Sequence, residues 1–167
     1  RPDFNEPKEL GLEPVAEAKI LQALTLIEGT ELEGSAILVE DSGIFLDAFP
    51  NWPGAESSDV EKEIGLSGII EKVNKSEIRG AEFRAVAILS DGSNFWKSKG
   101  VCRGSISHEI KGQKGFGYDP IFIPSEGDGR TFGELGAEVK NQISHRKKAM
   151  QGLSNLLKSP VKVNRDR

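Results

Sequence analysis

The segment EFRAVAILSDGSNFWKSKGVCRGSI, Glu82 to Ile106, constrains the fold most. Two extended apolar runs flank Asp91-Gly92, a pair suited to the tight reversal of a β-hairpin. A chain with such a hairpin must build its core on a sheet and cover that sheet with the elements that remain. Helices are available for this. From Glu13 to Gly29, EPVAEAKILQALTLIEG places Pro14 early, spaces Val15, Ala18, Leu21 and Leu24 at helical intervals and closes on glycine. A last helix is expected from about Ser144 to Lys158, with Met150, Leu153 and Leu157 on one face.

The remaining strands are shorter. After the linker TELEGS, the run AILVEDSG has four successive apolar residues and then two acids, which reads as a buried strand carrying carboxylates at its end. IFLDAF reads as a second extended piece, and PNWPGAESS, with its prolines and glycine, as a rigid loop. Val60, Ile64, Ile69, Ile70 and Val73 suggest one or two short helices interrupted around Gly65 and Gly68. PIFI is a further strand, followed by the polar loop PSEGDGRTFGEL. Helices alternate irregularly with strands, so the expected class is α/β with a mixed sheet and flanking helices, in a single domain over residues 1–167. Residues 159–167 read as a frayed tail.

Bulk composition narrows the function classes. With 167 residues and 37% apolar content the chain can bury one proper core. A net charge of −4 argues against a general binder of nucleic acid or anionic membranes. Cys102 is the single cysteine, so neither an intrachain disulfide nor a cysteine-based zinc site can form, which fits a cytoplasmic setting. No apolar run approaches the length of a membrane span, and RPDFNEPKEL has no signal-peptide features.

Three clusters can carry chemistry. Glu40, Asp41, Ser42 and Gly43 place two adjacent carboxylates together, a suitable anchor for a hard cation such as Mg²⁺; the alternative is a turn capped by Asp41 and Ser42. KGFGYDP combines Gly115 and Gly117, which let the backbone approach a ligand, with the flat ring of Phe116 and with Asp119 held before a proline. That suits a planar polar molecule such as a nucleobase, although a structural turn would use the same residues. In VKNQISHRKKAM, Ser144 can cap a helix, putting His145 and Arg146 in its first turn where cations are unfavourable without an anion nearby. With Lys140 upstream they form a donor site for phosphate or a carbonyl-bearing base. Lys147 and Lys148 read as a solvated face.

In order and spacing, LVEDSGIFLDAF, PG, SS, KGFGYDPIFIP, TFGEL and VKNQISHRKKA closely resemble the inosine triphosphate pyrophosphatase family, the Ham1-like nucleotide hydrolases, from about Glu6 to the end of the last helix. The resemblance implies an elongated α/β fold with two lobes around a nucleotide cleft, homodimeric assembly, and Mg²⁺-dependent hydrolysis of ITP, dITP and XTP to the monophosphate and pyrophosphate. It implies that Asp41 and Glu6 hold the metal, that Asp41 also positions or activates water, and that Lys19 faces the phosphates. Phe116 would stack on the purine. Ser42, Gly117, Tyr118, Asp119, Lys140, Ser144, His145 and Arg146 would form the rest of the substrate site, the last two reading the 6-keto oxygen. A keto group accepts hydrogen bonds whereas the amino group of adenine donates them, so Arg and His donors reject ATP by leaving donors facing donors.

The chain also departs from the family pattern. Members begin with a strand and a Ser/Thr-Asn-x-x-Lys turn that holds the triphosphate, and here roughly 25–35 residues, the length of a strand–turn–helix unit, would be lacking before Glu6. Glu56 stands where tyrosine is common. A nucleotide-binding protein impaired in catalysis for want of that phosphate clamp is therefore the alternative expectation. A Maf-like pyrophosphatase is a third, disfavoured by the paired SHR and GFGYDP motifs.

Overall fold

A computed structural model describes residues 2–158. The expected tail at 159–167 lies outside them. Among the described residues five strands form one sheet in the order β2-β1-β3-β4-β5: β1 (Ile37–Leu46), β2 (Phe49–Pro53), β3 (Gly80–Ser90), β4 (Phe95–Ile106) and β5 (Phe122–Pro124). Every pairing among them is antiparallel. The helices are α1 (Leu12–Ile27), α2 (Ser57–Ser76), α3 (Phe132–Leu135), α4 (Ala137–Ile143) and α5 (His145–Lys158). The α/β class expected from the sequence is the one that forms, but its sheet is antiparallel throughout the described residues and not mixed, because the hairpin β3–β4 and the strands added to its edges all reverse direction.

The hairpin is the spine of the sheet. β3 and β4 pair from Gly80↔Ser105 to Ser90↔Phe95, and the Asp91 carboxylate accepts from the backbone amides of Ser93 and Asn94 at the turn. Successive side chains of β3 point to opposite faces. Val86 and Ile88 pack under α1 with Leu12, Ala16 and Ile20. Ala85 and Ala87 pack under α5 with Ala149 and Leu153. Small residues on the second face let α5 lie close: a side chain at Gly100 would overlap the His145 carbonyl and the Ala149 amide. A third cluster joins α2 to the lower sheet around Ile44, Ile69, Val73, Phe83, Phe122 and Phe132.

Several elements differ from the sequence reading. β1 is one strand, paired with β3 from Ile37↔Ser90 to Leu46↔Ala81, so Glu40 and Asp41 sit within it and not at its end. Gly43 does not break it; the glycine makes room for the Gly54 carbonyl, which a Cβ would overlap. Phe49–Pro53 is a strand despite its prolines, tolerated because it is a sheet edge. In α2 only Gly65 leaves the helical conformation, at φ 67°. PIFI begins as a 3-10 turn at Asp119–Ile121, and α3 and α4 occupy part of the expected polar loop and the segment before Ser144. Helical spacing was right for α1 and α5 but the rotation was not. α1 buries Leu12, Val15, Ala16, Lys19 and Ile20 and leaves Leu21 exposed, and α5 buries His145, Ala149 and Leu153 while Leu157 is exposed.

Candidate active site

β1 divides its polar residues between the faces of the sheet. Asp41 pairs with Val86 and reaches Lys19 of α1, while Glu40 and Ser42, opposite Ala87 and Ala85, reach Arg146 of α5. β2 pairs only at Phe45 and Leu46. A cavity of about 450 Å³ takes in the residues around that edge. Its walls include Glu6, Lys19, Asp41, Ser42, Phe116, Gly117, Tyr118, Asp119, Lys140, His145 and Arg146, drawn from stretches far apart in the sequence. Ser144 does not line it; its Oγ caps α5 by accepting from the Lys147 amide at 3.1 Å.

One end of the cavity is a carboxylate cluster. Lys19 Nζ lies 2.8 Å from Asp41 Oδ1 and 2.9 Å from Glu6 Oε1. Burial works against the Lys19 charge, but the two carboxylates outweigh it and hold its pKa above the usual value. For Asp41 burial pushes the pKa up, with Lys19 offsetting only part of this and Glu6 and Glu40 adding repulsion. Asp41 Oδ2 is buried without a hydrogen-bond partner. A free carboxylate oxygen beside a second carboxylate is a place for a hard cation. No group of three or more His, Cys, Asp or Glu close enough to hold a metal exists among the described residues. A cation here would take two carboxylates at most, and substrate phosphates and water would complete its shell.

The other end is aromatic and basic. Asp119, 1% exposed, accepts from Lys140 Nζ at 2.7 Å and from the Phe116 amide at 3.1 Å. Gly115, at φ 74°, is obligatory in this turn, since a Cβ would overlap the Asp119 carboxylate. The Phe116 ring stays 64% exposed, with Lys140 Nζ 4.3 Å and the Arg146 guanidinium carbon 5.7 Å from its centroid. GFGYDP is thus both a structural turn and the mount of an exposed ring. Tyr118 donates its hydroxyl to the Ser57 carbonyl at 2.6 Å, and burial raises its pKa.

His145 opens α5 and is 4% exposed. Burial, helped by Arg146, Lys140 and Lys148, pushes its pKa down to about 3, so the imidazole is neutral. Its ring stacks on Phe83 with centroids 4.8 Å apart and planes at 12°, and Nδ1 is buried without a partner. Arg146 donates from Nε to Glu40 at 3.2 Å and from Nη2 to Ser42 Oγ at 3.3 Å. Sequence reasoning missed Lys8, Phe83, Ser57, Ser58 and Glu61, which also line the cavity. Ser57 and Ser58 stood in the SS piece of the resemblance without a role, and Phe83 had a signal in the alternation of β3 on the face of Ala85 and Ala87.

Residues 2–156 match the model of the Ham1 family. The chain is 42% identical over 123 residues to the dITP/XTP pyrophosphatase of Saccharolobus solfataricus, an alignment covering 74% of this chain and 64% of that protein. It is 43% identical over 125 residues to the dITP/XTP pyrophosphatase of Pyrococcus horikoshii, covering 75% and 67%. The chain therefore spans about two thirds of the length of these relatives, and for the first less than that. Its fold superimposes on the Staphylococcus aureus Ham1 protein with a TM-score of 0.80 at 28% identity, covering 93% of this chain and 80% of that one. A Ham1 protein from Coxiella burnetii gives 0.77 at 30% identity, with the same coverage.

Proposed function

The chain belongs to the Ham1 family, and from that premise we propose that it hydrolyses non-canonical purine nucleoside triphosphates, ITP, dITP and XTP, to the monophosphate and pyrophosphate. One observation carries this reading. The buried side-chain atoms left without partners among the described residues are Asp41 Oδ2 and His145 Nδ1, and both belong to residues lining the same cavity. Buried polar atoms are almost always paired, so a ligand that supplies partners at a carboxylate end and at an aromatic, donor-rich end fits this site. A purine nucleotide does so: metal-neutralised phosphates at one end, a base at the other.

In this reading Phe116 stacks on the base, and neutral His145 with Arg146 donates to the 6-keto oxygen, which adenine's amino group cannot replace. Tyr118 and Gly117 shape the wall behind, and the Asp119 carboxylate holds Lys140 in place. Lys19 meets the phosphate oxygens. Asp41 and Glu6 would hold Mg²⁺, which when bound supplies charge neutralisation at the phosphates. Asp41 orients a water for attack at the α-phosphorus; the bond from that phosphorus to the bridging oxygen breaks, and pyrophosphate leaves. We place the protein in the cytoplasm as a homodimer, with the described residues acting as one domain and neither nucleic acid nor membrane as partner. No described helix is long and apolar enough to cross a membrane.

Pyrophosphate release over a panel of ITP, dITP, XTP, GTP and ATP, with and without Mg²⁺, tests the proposal. The expected result is Mg²⁺-dependent release from the first three and little from ATP. Binding of ITP without release would replace the enzyme by a nucleotide-binding protein, and equal release from ATP would overturn the reading of the base end.

A further inference from the structure

The His145 side chain makes no hydrogen bond within the described residues, and its Nδ1 is buried. A histidine that reads a ligand is ordinarily oriented by a hydrogen bond at its second nitrogen, from a carboxylate or a backbone carbonyl. That device is absent here. What meets the imidazole is the ring of Phe83, nearly parallel at 12° and 4.8 Å away.

Phe83 is itself held from behind. Its ring packs on Phe122 at 4.5 Å and Phe132 at 6.4 Å, and its strand is paired on both sides, with Ile44 of β1 and Cys102 of β4. Beyond it on the same face come Ala85 and Ala87, over which α5 settles. Phe83 is thus the large side chain on which the first residue of α5 rests, and it is 8% exposed at the cavity wall.

We infer that Phe83 is a positioning and specificity-determining residue: its ring fixes the plane of the His145 imidazole, and through it the distinction between a 6-keto and a 6-amino purine. This rests on the reading of His145 as a base-recognising residue. The flat face is the feature that acts, since an aliphatic side chain of similar bulk fills the space but leaves the imidazole free to turn.

The experiment compares Phe83→Leu and Phe83→Tyr with the parent chain, using ITP and ATP as substrates and inosine monophosphate as a binding probe. The ratio of kcat/KM for ITP over ATP should fall about tenfold in Phe83→Leu, the order of what one stacked aromatic pair contributes. The loss should lie mainly in a raised KM for ITP, with kcat within about threefold because the carboxylate end is untouched. Phe83→Tyr should restore the ratio. The chain has two histidines, so a His108→Gln background leaves His145 as the single imidazole in NMR spectra. Its ring protons should lose their ring-current displacement in Phe83→Leu while the amide spectrum stays folded. If inosine monophosphate leaves the His145 signals of the parent unmoved, the base-site reading fails and the inference with it. If the probe moves them and Phe83→Leu keeps the parent ITP/ATP ratio, or Phe83→Tyr behaves like Phe83→Leu, the base-site reading stands and the positioning role of Phe83 is overturned.

Discussion

Lys19 of α1 and Asp41 of β1 meet at 2.8 Å across the helix–sheet interface, and the same ammonium lies 2.9 Å from Glu6. One nearly buried cation therefore serves two carboxylates. Replacing it by methionine leaves those acids facing each other, which should cost about 3–5 kcal/mol as for other broken buried pairs. A divalent cation should recover more of the Tm in Lys19→Met than in the parent chain. Thermal melts with MgCl2 and with chelator check this, and an equal Mg²⁺ response in both proteins would contradict the placement of the cation at Asp41 and Glu6.

Asp41→Asn keeps an oxygen for Lys19 and removes the charge at Oδ2. The kcat for ITP should fall by about two orders of magnitude or more, the scale on which a group acting on transition-state charge contributes. In the proposed reading inosine monophosphate engages the other end of the cavity, so its binding should be little changed. Near-normal turnover would remove Asp41 from the chemistry.

Phe116 is exposed enough that its truncation should leave stability within about 0.5 kcal/mol. Stacking of a base on an aromatic side chain is worth about 1–3 kcal/mol, so Phe116→Ala should raise the KM for ITP several-fold to a hundredfold. Urea unfolding and steady-state kinetics on the same preparation separate the two effects.

Arg146→Ala should erode the preference for ITP over ATP by about 1.5–3 kcal/mol, the value of a hydrogen bond to a charged donor. Competition between the two nucleotides measures it directly. An unchanged ratio with a uniformly raised KM would make Arg146 a phosphate ligand held by Glu40 and Ser42.

His145 gives the stability a defined pH dependence. Its folded pKa is depressed to about 3, against about 6.5 in an unfolded chain. The unfolded state thus takes up a proton as pH falls through 6.5 while the folded state does not until about 3. The stability associated with the neutral ring is complete above pH 6.5 and declines below it, at up to about 1.4 kcal/mol per pH unit, until the folded pKa is reached. Urea unfolding between pH 7 and 4 should show a steeper decline for the parent chain than for His145→Gln, in which the carboxylates still titrate but this contribution is gone. Parallel curves would mean that the imidazole is hydrated and ordinary.

Much of this molecule was written in short-range sequence. The hairpin at Asp91-Gly92, the extents of α1 and α5, the capping role of Ser144 and the turn at GFGYDP could be read locally, because turns, caps and periodicity are local in their physics. Tertiary structure alone decided which face of each element is buried. In α1 the stripe through Leu21 and the stripe through Lys19 both satisfy helical spacing, and the second is buried because Val86 and Ile88 of β3 receive Leu12, Ala16 and Ile20, while Asp41 and Glu6 meet the Lys19 ammonium. In β1 a glycine that looks like a strand end is an interior residue, since the Gly54 carbonyl passes against it. The alternation that sends Asp41 to α1 and Ser42 to α5, and the stack of Phe83 on His145, depend on register between segments distant in the chain. Sequence periodicity sets how side chains repeat along an element; what each one faces is set by the packing of elements that share no local signal.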